Sequence, residues 1–121
     1  MDFLKSIFDQ MFGFRTSKPV KMSGEKKDYV QSVIKSDKIV IFSKSYCPYC
    51  TMAKEVFDKI KEKYTLIELD ERDDGDEIQG ILGDLTGART VPRVFVKGDC
   101  LGGGSDVKAL LEKGELQKIV S

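Results

Sequence analysis

Ile39-Val40-Ile41-Phe42-Ser43-Lys44-Ser45-Tyr46-Cys47-Pro48-Tyr49-Cys50 is the stretch that decides the fold. Four consecutive apolar residues, three of them β-branched, read as a buried strand over Lys38 to Ser43. Beyond the second cysteine, Met52, Ala53, Val56, Phe57 and Ile60 recur at helical spacing. They predict an amphipathic helix over Pro48 to Lys63, with proline tolerated in the first turn. The Cys-x-x-Cys pair therefore falls on a strand-to-helix junction, where such a pair reads as redox-active. Cys47 stands at or just before the helix N-terminus, where unpaired N–H groups and the helix dipole favour negative charge. A thiolate is stabilised there, and the thiolate is the species that attacks disulfides. Zinc is the competing use of two cysteines, but it wants four ligands. The chain has no histidine and no second Cys-x-x-Cys, so no metal is expected.

Working outward, a helix is predicted across Lys26 to Lys35, with Tyr29, Val30, Val33 and Ile34 facing inward. Thr65 to Leu69 alternates as a second strand, and Asp76 to Leu85 reads as a helix. Val94 to Val96 and Cys100-Leu101 pair as a hairpin around Lys97-Gly98-Asp99. Gly102-Gly103-Gly104 ends it, and Ser105 or Asp106 is expected to cap a helix running through Leu111. Gly114 breaks that helix before a last short one, Glu115 to Val120. The order predicts an α/β fold with a four-stranded mixed sheet flanked by helices. A right-handed crossover makes the first two strands parallel, and the hairpin adds an antiparallel pair. The arrangement resembles the thioredoxin-like fold. It puts the cysteines at the carboxyl end of a strand, where open α/β sheets bind ligands.

Composition narrows the function classes. The chain has 121 residues, 40% of them hydrophobic, enough for one domain without disulfide staples. Lys+Arg and Asp+Glu are both 20, which gives no support for a nucleic-acid partner. Three cysteines are an odd number, poor arithmetic for a secreted scaffold and better suited to a reducing compartment. No apolar run approaches the roughly 20 residues of a membrane span, and the first residues mix Asp2, Lys5 and Asp9 with apolar ones, unlike a secretory signal. The expected location is cytoplasmic. It becomes mitochondrial if residues 1 to 22 are a targeting segment. In that extension Phe3, Leu4, Ile7, Phe8, Met11 and Phe12 share one helical face. Docking on its own domain or loose order, organelle targeting, and contact with a membrane surface or partner all remain open for it. Residues 23 to 121 form the domain proper.

With the motifs placed, the chain resembles the glutaredoxin family from about Lys26 to the C-terminus. The residues that carry the resemblance are Cys47-Pro48-Tyr49-Cys50, Glu77-Ile78-Gln79, Leu85 to Phe95 with its Thr90-Val91-Pro92, and Gly102-Gly103-Gly104-Ser105-Asp106. The family implies a glutathione-dependent thiol-disulfide oxidoreductase that reduces protein–glutathione mixed disulfides and protein disulfides. Cys47 is then the nucleophile and Cys50 the resolving thiol, with glutathione as co-substrate. The resemblance also supplies a glutathione-binding set. Lys44 and Gln79 face its carboxylates, and Tyr49 flanks it. Thr90 and Val91, with Pro92 in the cis form, pair with its cysteinyl backbone. Gly103, Gly104, Ser105 and Asp106 receive its γ-glutamyl end. Arg72 and Arg89 are weaker candidates for a carboxylate. The expected partners are glutathione, glutathionylated proteins and protein disulfides, and this role needs only a monomer. The alternative from another class is a [2Fe–2S] carrier or sensor using Cys47 and bound glutathione, against which Pro48 counts. Cys100, in the hairpin, reads as a structural thiol.

Overall fold

The computed structural model describes residues 22–121, so the expected extension over residues 1 to 22 lies, but for Met22, outside the described residues. At its centre is β1 (Ile39–Ser43), buried at all five positions. It pairs in parallel with β2 (Thr65–Glu68) and antiparallel with β3 (Arg93–Val96), which in turn pairs antiparallel with β4 (Asp99–Gly102). The strand order is β2-β1-β3-β4. This is the four-stranded mixed sheet that the pattern predicts.

Strand alternation sorts the core into two layers. Ile39, Ile41, Val94 and Val96 point to one face and bury Ala53, Val56 and Phe57 of helix α2 (Pro48–Lys59) and Val107 near the C-terminal end of the chain. Val40, Phe42 and Phe95 point to the other face. There they meet Val30 and Ile34 of α1 (Met22–Ser36) and Ile78, Ile81 and Leu82 of α3 (Gly75–Thr86). Phe42 and Phe95 touch edge to face, with centroids 5.8 Å apart. Helix α4 (Gly104–Glu112) and the terminal α5 (Leu116–Val120) close the first layer, with Leu116 and Val120 buried.

The structure departs from the pattern where backbone geometry, rather than hydrophobic period, sets the outcome. Helix α2 stops at Lys59 instead of Lys63 because Lys61 turns left-handed at φ 60. The turn closes through Lys61 N–H to Asp58 O and Glu62 N–H to Phe57 O, and no glycine or proline announces it. Leu69 leaves β2 for a 3-10 turn, Leu69–Glu71, and is buried from there. Asp99 belongs to β4, so the hairpin turn is Lys97-Gly98 alone, both with positive φ as a two-residue hairpin requires. Tyr29, expected inside, is 39% exposed; its ring lies instead against Lys26 and Arg72. Neither Ser105 nor Asp106 is the N-cap of α4: Gly103 is, and Asp106 sits one turn in.

Candidate active site

The carboxyl end of β1 delivers Cys47 and Cys50 to the first turn of α2. Cys47 is the N-cap residue, with extended backbone, and Pro48 follows at the first helical position. Helix geometry then gives the two thiols opposite surroundings although they lie 3.3 Å apart. Cys47 is half-buried, whereas Cys50 is fully enclosed; both are free thiols. Burial pushes the Cys50 thiol up, opposed in part by the backbone N–H of Lys44. That N–H points at Cys50 Sγ from 3.4 Å. Lys44 also accepts the Cys47 N–H on its carbonyl at 3.1 Å, so one residue braces both cysteines through its backbone. Among the described residues its ammonium enters no ion pair.

Two loops meet the pair from β3 and α4. The Val91–Pro92 peptide is cis, and the Val91 carbonyl oxygen lies 3.9 Å from Cys47 Sγ. Thr90 is exposed, Val91 half-buried and Pro92 buried. On the other side Gly104 packs on the backbone of Tyr49. A Cβ at Gly104 would fall 2.5 Å from the Tyr49 carbonyl oxygen, so only glycine lets α4 approach this closely. Gly102, at φ 111, turns the chain so that the Asp106 carboxylate can accept the Gly103 N–H at 2.8 Å. Ser105 and Asp106 remain exposed beside this turn, and Tyr46 and Tyr49 stand out at 72% and 57% exposure.

The remaining sequence candidates divide. Gln79 Nε2 donates to the Arg89 carbonyl at 2.7 Å, which fixes the entry to the Thr90–Pro92 loop. Arg89 runs along α3 over Gly80 and Gly83 and is exposed. Arg72 is engaged elsewhere: its guanidinium holds Asp74 through Nε at 2.7 Å and a terminal nitrogen at 3.0 Å. Cys100 is exposed on β4, not buried.

Several residues around the site were given no role from the sequence. The Ser45 N–H and hydroxyl both reach Asp70, at 3.0 and 2.5 Å, and pin the loop before Cys47 to the turn after β2. Arg93 is nearly buried and donates from Nε to the Pro92 carbonyl at 3.2 Å. Ser43, completely buried, donates to Glu68 Oε1 at 2.5 Å, and Lys54 Nζ contacts Glu68 Oε2 at 2.8 Å. Strand parity is the signal that could have found Ser43. It continues the Ile39 and Ile41 face toward α2, where a polar side chain needs a partner.

A glutaredoxin family model matches residues 39–101, from the start of β1 into β4. Glutaredoxin-C4 of Arabidopsis thaliana is 51% identical over 98 residues, covering 81% of this chain and 73% of the relative. The chain belongs to the glutaredoxin family. Its fold is accordingly the thioredoxin-like one. Among solved structures, oxidised glutaredoxin 2 from Chlamydomonas reinhardtii superposes with a TM-score of 0.77 at 43% identity, over 81% of this chain and 92% of that one. A buckwheat glutaredoxin–glutathione complex gives a TM-score of 0.77 at 39% identity, over 88% and 94%. Glutaredoxins named as mitochondrial in Bos taurus and chloroplastic in Oryza sativa subsp. japonica match at 43% and 39% identity, so similarity assigns no compartment. No helix among the described residues is long and apolar enough to cross a membrane.

Proposed function

We propose that this glutaredoxin is a dithiol thioltransferase that uses glutathione to reduce protein–glutathione mixed disulfides and protein disulfides. The observation that carries the reading is the inequality of the two thiols: one half-exposed at the N-cap, the other buried 3.3 Å away. Of this pair, only Cys47 is accessible to a bulky disulfide. Its thiolate attacks the glutathionyl sulfur, the protein thiolate leaves and takes up a proton, and Cys47 carries glutathione. A second glutathione thiolate attacks that sulfur, releases oxidised glutathione and restores Cys47. On a protein disulfide, Cys47 forms the mixed disulfide with the target instead, and Cys50 attacks Cys47 Sγ to release it.

The groove between the two loops suits a glutathione backbone. The Val91 carbonyl, beside Cys47, offers strand-like pairing to its cysteinyl unit. The N-terminus of α4 offers the N–H groups of Gly104 and Ser105 to the γ-glutamyl carboxylate, the Gly103 N–H being held by Asp106, whose carboxylate is offered to the ammonium. In this reading Lys44 and Gln79 take the carboxylate contacts and Tyr49 the flank. The buckwheat complex supports glutathione as the ligand. A monomer suffices for these steps. Glutathionylated proteins are the partners, and a reducing compartment, the cytoplasm first, is the setting. Of the motif's two thiols, a [2Fe–2S] cluster would find only Cys47 accessible, since Cys50 is buried.

The test is glutathione-dependent turnover of a small glutathionylated substrate, coupled to glutathione reductase. Wild type turns over, Cys47→Ser does not, and Cys50→Ser stays active. An inactive wild type removes the enzyme reading and moves cluster binding to first place.

A further inference from the structure

Cys50 has to ionise inside the protein to resolve a mixed disulfide, and three polar residues converge behind it. Ser43 is the last residue of β1, on the face that covers α2, and directly precedes Lys44, whose N–H points at Cys50 Sγ from 3.4 Å; its hydroxyl is among the groups that pull the Cys50 thiol back down against burial. The same hydroxyl donates to Glu68, its register partner on β2. Lys54, one helical turn beyond Cys50 on α2, completes the set by pairing with Glu68. The Lys54 and Glu68 side chains are only 20% and 15% exposed, so water screens them weakly.

We propose that Ser43, Glu68 and Lys54 are positioning residues that hold a hydroxyl hydrogen and an ammonium charge against the Cys50 thiolate in the resolving step. The inference rests on the dithiol reading above and concerns its second half-reaction only. In that step Cys50 releases its proton to solvent and Ser43 turns its O–H from Glu68 to the sulfur. Cys50 Sγ then bonds to Cys47 Sγ as the bond from Cys47 to the departing thiol breaks. The leaving thiolate takes up a proton, so charge and electrons balance.

The other groups facing this cluster are Cys47 and the Lys44 N–H near the sulfur, with Tyr64 and Asp58 beyond Lys54. Burial works against the Lys54 charge, while its hydrogen bond to Glu68 and, less strongly, the negative charge of Glu68 and of Cys50 favour it. The arrangement has a signature that a purely structural role lacks. Removing the hydroxyl or the ammonium disfavours the thiolate. Removing the carboxylate favours it, because the ammonium is no longer neutralised and the hydroxyl is freed for the sulfur.

The experiment isolates the step. In a Cys100→Ser background, the full chain is loaded with glutathione on Cys47, and intramolecular release of glutathione is followed from pH 5 to 10. Ser43→Ala and Lys54→Met are expected to move the midpoint of the rate profile up by about one pH unit, slowing release about tenfold at neutral pH. Glu68→Gln is expected to move it down. Ser43→Thr, which keeps a hydroxyl, restores the wild-type midpoint. Unmoved midpoints, or shifts of all three variants in one direction, overturn the proposal. The two charge variants carry the test even if Ser43→Ala does not fold. A wild type that accepts no glutathione on Cys47 overturns the dithiol reading itself, and the relay with it.

Discussion

Asp106 holds its own turn and keeps carboxylate capacity for the ligand ammonium proposed above. One carboxylate oxygen accepts the Gly103 N–H at 2.8 Å, which fixes the turn into α4, and the residue stays exposed. A carboxylate has about four lone-pair sites, so capacity is left for a ligand ammonium. Asp106→Asn keeps the shape and loses the charge. It is expected to raise KM for glutathionylated substrate on the order of tenfold, from the usual worth of a charged hydrogen bond. The value of kcat should change little, because this contact does not alter between ground and transition states. Steady-state kinetics decide it; an unchanged KM would take Asp106 out of the binding set. Lys44→Met belongs to the same class, since only its ammonium is removed while its backbone continues to brace Cys47 and Cys50.

At the scale of elements, the site depends on how closely α4 approaches α2. Gly104→Ala puts a methyl group 2.5 Å from a backbone oxygen of Tyr49, and backbone on both sides leaves no flexible atom to yield. The expected cost is about 1–3 kcal/mol, the range for overpacking. Urea unfolding would read it, and a midpoint equal to wild type would show that the helices part without penalty. That contact was not legible in the sequence, where Gly104 reads as part of a glycine run and, through the family resemblance, as a glutathione-binding residue, not as a packing contact with Tyr49. Elements whose identity follows from apolar period were legible. The five buried residues of β1 and the Ala53, Val56 and Phe57 stripe of α2 stand where expected. The end of α2 was not, because it rests on Lys61 adopting a left-handed backbone that its residue type does not advertise. Tyr29 was misplaced for a related reason: an apolar ring at a helical position can be held outside by two cations, and Arg72 lies 43 positions away in sequence (72 minus 29). The placement of the cysteines at the β1–α2 junction was legible from residue type and spacing, and the cis Val91–Pro92 bond from the family resemblance. Ser43, Glu68 and Lys54 were not, since three ordinary residues become a cluster only once β1, β2 and α2 are assembled.

Across the whole molecule, Asp74 is the junction where distant segments are tied by charge. It receives the Arg72 guanidinium through two nitrogens and the Lys26 ammonium at 2.7 Å, joining α1 to the start of α3. Hydrogen bonds from Arg72 first, then Lys26, hold its carboxyl well below the usual 3.8 of an aspartate. Asp70 is also lowered, chiefly by the Ser45 hydroxyl and N–H. A folded-state pKa below the unfolded one gives stability that is fully present above the unfolded value and is lost as pH falls through the folded one. The window is therefore below about pH 4. Lys26 is shifted the other way, raised mainly by its hydrogen bond to Asp74. Its share is present below its unfolded value and is lost only in strong alkali. Asp74→Asn should then be less stable than wild type at pH 7, by about 1 kcal/mol for a partly screened network. The two proteins should converge as the pH is lowered toward 2, because acid removes from wild type the charge the variant never had. Urea midpoints measured at pH 7, 5, 4, 3 and 2 test this, and added salt should narrow the gap at pH 7. A gap that stays constant down to pH 2 would mean that Asp74 stabilises the junction through shape and neutral hydrogen bonds, with its charge contributing nothing.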